Sequence, residues 1–90
     1  MQFEWDSEKA ATNLSKHGVP FDEAETVFHD PLYVDFYDPD HSEREHRYII
    51  IGQSRQGRLL MVSYTERNDT IRIISSRDVT PEEREAYEEG

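Results

Sequence analysis

The chain contains no cysteine, and its 10 Lys and Arg are outnumbered by 20 Asp and Glu, for a formal net charge of −10. The first absence excludes a disulfide framework and any thiolate metal site, and it suits a reducing compartment, so a cytoplasmic location is expected. The shortage of positive charge argues against nonspecific nucleic-acid binding, which feeds on a positive field. No apolar run approaches the ~20 residues that a membrane span needs, and Met1-Gln2-Phe3-Glu4-Trp5-Asp6 lacks the basic and apolar regions of a signal peptide. No membrane partner is expected. Hydrophobic residues make up only 34% of the chain against 33% charged, so the core must be small. A chain of this length buries roughly 60–65% of its unfolded surface, and residues 1–90 are expected to form one domain. Ten well-spread aromatics still argue against disorder.

What charge there is lies unevenly. Residues 46–77 hold Arg47, Arg55, Arg58, Arg67, Arg72 and Arg77 against only Glu66 and Asp69, a local +4. The first 45 residues carry −9 and the last 13 carry −5. Locally cationic strands inside an anionic molecule point to an anion site, with RNA phosphate as the leading candidate.

The periodicity predicts an α+β fold. Phe3-Glu4-Trp5 reads as a short edge strand, and Asp6 or Ser7 caps a helix that runs to about Lys16 and ends at His17-Gly18. Phe21, Ala24, Val27 and Phe28 form one stripe of a second helix, stopped by Asp30-Pro31. From Leu32 the period changes to two. Tyr33–Tyr37, Glu45–Gln53, Arg58–Glu66 and Thr70–Arg77 read as strands, the last three joined by short turns in an antiparallel meander. Along the last strand, Arg72, Ile74 and Ser76 alternate with Ile71, Ile73, Ser75 and Arg77, which predicts two distinct faces. Thr80-Pro81-Glu82-Glu83 has the pattern of a helix start with a capping box. Two early helices are therefore expected across one face of a four- to five-stranded antiparallel sheet, with a C-terminal helix at the end.

Three stretches together resemble a known family: FEWDSEKAATNLSKHGVPFDEAETVFHDP, HSEREHRYIIIGQS and GRLLMVSYTERNDTIRIISSR. KHGV before a VF-DP helix end, HS-x-x-E-x-R before a strand, and YT-x-R before RIIS-x-R are similar to the BrnT family of bacterial type II toxins, from Phe3 to Tyr87. The resemblance implies a RelE-like ribonuclease fold that arrests translation by cleaving RNA. It also implies a ribbon-helix-helix antitoxin, BrnA, which neutralises the toxin, the complex reaching operator DNA only through the antitoxin. Carried over residue by residue, it marks Glu45 and Arg47 (E-x-R), Thr65 and Arg67 (YT-x-R), Arg77 (RIIS-x-R), and Lys16 and His17 (KH).

RNA can be cut without metal or cofactor, because its own 2′-hydroxyl can attack the adjacent phosphate. The protein then supplies a base, cations for the charged phosphorus and a proton for the departing 5′ oxygen. Arginine suits the cation role through its planar fork. Arg67 and Arg77 are expected as phosphate clamps, converging across the meander, with Glu45 and Arg47 completing the site. Glu45 is either a base or an orienter of arginine, and the Glu45–Arg47 pair also has a purely structural reading. Lys16 and His17 are candidate acid or electrostatic partners, yet a helix C-terminus favours positive charge without any further role. Tyr64 is a candidate for base stacking but fits core better, and Thr65 fits a strand filler. His29, His41 and His46 beside nearby aspartates do not make a compact metal-ligand pattern, so no metal or cofactor is expected. The acidic tail is either a solvated face or a landing site for a basic antitoxin arm. The net charge supports a second functional reading, a catalytically weak protein-binding module derived from such a toxin.

Overall fold

Asp6 sets the start of the first helix: its carboxylate accepts from the Glu8 and Lys9 N–H groups at 2.8 and 3.2 Å. The computed structural model covers residues 1–90. Its elements are β1 (Gln2–Glu4), α1 (Ser7–His17), α2 (Phe21–Thr26), β2 (Val34–Tyr37), β3 (Arg47–Gln53), β4 (Leu59–Arg67), β5 (Thr70–Asp78) and α3 (Pro81–Glu89), with 3-10 turns at Val27–His29 and Pro39–His41. Gly18 ends α1 at φ 69°, a left-handed conformation open to glycine at little cost. Thr80 and Glu83 form the expected capping box of α3.

The five strands lie in the order β1-β5-β4-β3-β2. Four of them form the expected antiparallel meander, β2 to β5, but β1 joins β5 in parallel, so the sheet is mixed. The expectation of a purely antiparallel sheet lacked this pairing because it joins residues at opposite ends of the chain. β1 covers only Thr70–Arg72 of β5. Further along that edge, the buried side chain of Asn13 takes over. Its Nδ2 donates to the Ser76 carbonyl at 2.9 Å and its Oδ1 accepts from the Ser76 N–H at 3.0 Å, so one α1 amide acts as a strand would.

The core lies between the sheet and the first two helices: Val19, Phe21, Ala24 and Val27 pack with Ile50, Leu60, Val62, Tyr64, Ile71 and Ile73. A bulge breaks the predicted alternation of β5. Ser63 faces Ser75 and Tyr64 faces Ile73, leaving Ile74 as an extra residue. Downstream, Ser76 turns towards the core, and Arg77 comes onto the same face as Arg72 instead of the opposite one.

Glu23 ties α2 to the beginning of β4. It accepts from Arg58 at 2.6 and 3.0 Å and from Ser54 Oγ at 2.7 Å. The Arg58 guanidinium, helped by Ser54, holds the Glu23 carboxyl below the usual carboxylate range.

Candidate functional site

The segment between β2 and β3 folds back onto the backbone of Arg47. The Asp38 N–H donates to the Arg47 carbonyl at 2.8 Å, the Arg47 N–H donates to Ser42 Oγ at 3.0 Å, and Ser42 Oγ donates to the Asp38 carbonyl at 2.6 Å. This closed ring of bonds delays the start of β3 to Arg47 and fixes the point from which its guanidinium projects. Asp40, His41, Glu43, Arg44, Glu45 and Arg47 line a cleft of about 380 Å³ with no apolar wall residue.

Arg67, at the end of β4, reaches this segment. Its Nε and Nη2 both donate to Glu45 Oε2, at 2.9 and 2.7 Å. The pair is open to water, the two side chains being 61% and 39% exposed. Exposed pairs of this kind contribute only ~0–1 kcal/mol, so a phosphate can exchange for the carboxylate at little cost.

Strand register sets a row behind the pair. Arg47 stands opposite Thr65, Thr65 opposite Arg72, and Arg72 opposite Glu4, so all four share one face of the sheet, the one away from the early helices. Arg72 Nη1 donates to Glu4 Oε2 at 2.9 Å. Thr65 is 1% exposed, and its Oγ1 is buried without a hydrogen-bond partner. Thr65 therefore fills the strand, as its residue type suggests, but its hydroxyl is left unmatched between two arginines.

Glu45, Arg47, Thr65 and Arg67 gather at one end of the sheet, and Arg77 does not join them. Arg67 faces Thr70 while Arg77 faces Met61, seven residues further along β5. At ~3.3 Å per residue this separates the two by roughly 20 Å. The expected convergence of Arg67 and Arg77 is corrected accordingly: consecutive antiparallel strands finish at opposite ends of a sheet. Arg77 instead donates to both oxygens of Glu83, at 2.8 and 3.0 Å, while Glu83 also accepts from the Thr80 N–H at 2.9 Å. Burial pushes the Glu83 carboxyl up, but the bonds from Arg77 and Thr80 outweigh it and leave the group below its ordinary range.

The remaining candidates are dispersed. Lys16 and His17 are exposed at the end of α1, and the next residue, Gly18, accepts from Arg58 at the beginning of β4, the end far from Arg67. Tyr64 is 4% exposed, stacked on Tyr48 with ring centroids 5.7 Å apart, and burial pushes its hydroxyl pKa up. It is core, closed to a stacking base.

The local +4 is largely answered in space. Arg58, Arg67, Arg72 and Arg77 each meet a carboxylate, respectively Glu23, Glu45, Glu4 and Glu83, all from outside residues 46–77. Charge counting along the chain does not reveal such partners. Arg72 is a further arginine of this face: it opens the RIIS-x-R motif, but the carry-over of roles marks only Arg77 at that motif's end.

The family model described as "Ribonuclease toxin, BrnT, of type II toxin-antitoxin system" matches residues 5–83. The fold is similar to the 1.1 Å crystal structure of the Brucella abortus ribonuclease toxin BrnT, with a TM-score of 0.64 and 23% identity over 89% of this chain and 97% of that one. No curated protein matches the chain.

Proposed function

The chain belongs to the BrnT family of ribonuclease toxins of type II toxin–antitoxin systems, and from that premise we propose that it is a metal-independent endoribonuclease that inhibits translation, acts in the cytoplasm as one domain over residues 1–90, and is neutralised by a BrnA-like ribbon-helix-helix antitoxin. The observation that carries this is the convergence of Arg67, Glu45 and Arg47 beside one polar cleft. RNA brings its own nucleophile, and two always-charged guanidiniums supply the cations that the phosphorus needs in the transition state. Glu45 holds Arg67 in place until a phosphate replaces it. Arg77 works on α3 and takes no direct part.

Cleavage of RNA by the purified protein in EDTA tests this. We expect activity in the wild type, loss of about 100- to 1000-fold in Arg67→Ala and in Arg47→Ala, and a change of no more than a few-fold in Arg77→Ala. Cleavage that stops on chelation, or survives in both variants, would sink the assignment.

The occupied arginines and the charge of −10 favour a second reading, a binding module that keeps the antitoxin interface without catalysis. Induction without antitoxin separates the two, since only the ribonuclease arrests growth. Operator DNA is met through the antitoxin in either case. Glu82, Glu85, Glu88 and Glu89 are exposed on or beside α3 and offer an anionic face to a basic antitoxin arm. Their joint replacement by Gln should weaken antitoxin binding, and unchanged affinity would remove that contact.

A further inference from the structure

We propose that His41 is the proton-transfer group of the cleft, taking the proton of the RNA 2′-hydroxyl, with Asp38 as its positioning residue; this rests on the ribonuclease reading above. His41 Nδ1 lies 2.9 Å from Asp38 Oδ2. A carboxylate only accepts hydrogen bonds, so Nδ1 carries the hydrogen, and in the neutral form of the ring Nε2 is the nitrogen with the free lone pair. The two members differ in exposure, 63% for the His41 side chain and 14% for Asp38. The orienting group is thus sheltered, and the reactive ring stands in the open.

Local sequence builds the pair. Pro39 fixes its own φ, and the 3-10 turn Pro39–His41 brings residues three apart onto one side. The Asp38 carbonyl also accepts from Ser42 Oγ, the group that holds the Arg47 N–H. Asp38 thus links His41, held by its carboxylate, to the ring of hydrogen bonds that holds Arg47, and both residues line the same cleft.

Competing groups fit less well. Glu45 Oε2 already accepts two bonds from Arg67. His46 Nδ1 lies 3.1 Å from the Tyr37 hydroxyl, has no carboxylate behind it and does not line the cleft. His17 is at the other end of the sheet. The charged groups around His41 are Asp38, Asp40, Glu43, Glu45, Arg44 and Arg47.

In the step itself, the 2′ oxygen forms a bond to phosphorus as its proton passes to His41 Nε2, and the bond from phosphorus to the 5′ oxygen breaks. The products are a 2′,3′-cyclic phosphate and a 5′-hydroxyl. The proton held by His41 returns through water to the departing 5′ oxygen, so none is gained or lost. Arg47 and Arg67 hold the non-bridging oxygens.

The test measures kcat and KM for RNA cleavage in EDTA with the full chain, comparing wild type, His41→Ala, Asp38→Asn and His46→Ala. Proton transfer by a placed side chain is worth about 100- to 10,000-fold, and His41→Ala should lose kcat in that range with KM little changed. Added imidazole should restore part of the His41→Ala rate and none of the Asp38→Asn loss. His46→Ala should cleave as the wild type does. The proposal is overturned if His41→Ala cleaves within a few-fold of wild type, if imidazole leaves the folded variant inactive, or if His46→Ala is the variant that imidazole rescues. A wild type that cleaves nothing overturns the ribonuclease reading together with this one, whereas an active wild type with an unaffected His41→Ala overturns this one alone.

Discussion

Two arginine–carboxylate pairs stand at opposite ends of β4, Arg58–Glu23 just before its first residue and Arg67–Glu45 at its last. Their ionic chemistry is the same, and their surroundings are not. Glu23 is 6% exposed, takes bonds from Arg58 and Ser54 on both oxygens, and anchors α2 to the sheet. Glu45 is 39% exposed and offers a single oxygen to its arginine. In the first pair the carboxylate is buried and fully hydrogen-bonded, so losing Arg58 would strand Glu23. The second can trade its carboxylate for another anion. Burial, more than charge, separates an arginine that builds the protein from one that is free to meet a substrate.

Substitutions should break this contrast in a definite order. Arg67→Ala should have the largest effect, about 100- to 1000-fold in RNA cleavage, equivalent to roughly 2.7–4 kcal/mol of barrier, while urea unfolding shifts by no more than ~1 kcal/mol. Glu23→Ala should do the reverse. Removing one partner of a buried pair typically costs 3–5 kcal/mol, and because Arg58 keeps 36% exposure the expected loss is about 2–3 kcal/mol in urea unfolding. Cleavage per folded molecule should hold. Equal stability losses in the two variants would erase the distinction.

Acid sharpens the same comparison more gently. The Glu23 carboxyl titrates below its ordinary value of 4.5 in the folded protein, so its contribution is complete above that value and disappears as pH falls through the lower, folded one. The wild-type urea midpoint should therefore fall on acidification below about pH 4.5, and Glu23→Gln should flatten part of that slope. An unaltered slope would show the pair to be less sealed than its geometry indicates. The smallest effect belongs to Thr65→Val. The variant deletes a buried hydroxyl that has no partner, and thermal unfolding should show a gain of up to ~1 kcal/mol. A clear loss would mean that Thr65 Oγ1 is satisfied in solution.

Features that depend on near neighbours along the chain are legible in the sequence alone. Thr80 and Glu83 announce the α3 capping box, Gly18 marks the end of α1, and period-two runs outline β2 to β5. The family motifs single out Glu45, Arg47, Arg67 and Arg77, and the fold sets the first three at one end of the sheet and Arg77 away from them. What stays hidden is long-range or one residue deep. The parallel β1–β5 pairing and the Arg72–Glu4 contact join positions 68 residues apart. The bulge at Ile74 has no local sign such as glycine, yet it reverses the side on which Arg77 stands. The His41–Asp38 pair is in plain view at a three-residue spacing, but a histidine near aspartates reads first as a metal ligand, and only the turn around Pro39 makes it a hydrogen-bonded couple.

The parallel edge has a consequence for the order in which the protein is made. β1 has one neighbour in the sheet, β5, and Asn13 of α1 closes onto Ser76 of the same strand. A chain emerging amino-terminus first thus releases its opening strand long before residues 70–78 exist to receive it. The sheet cannot be completed until β5 itself has been made. For a member of a ribonuclease-toxin family, assembly of the fold thus waits on the strand that carries Arg72 and Arg77.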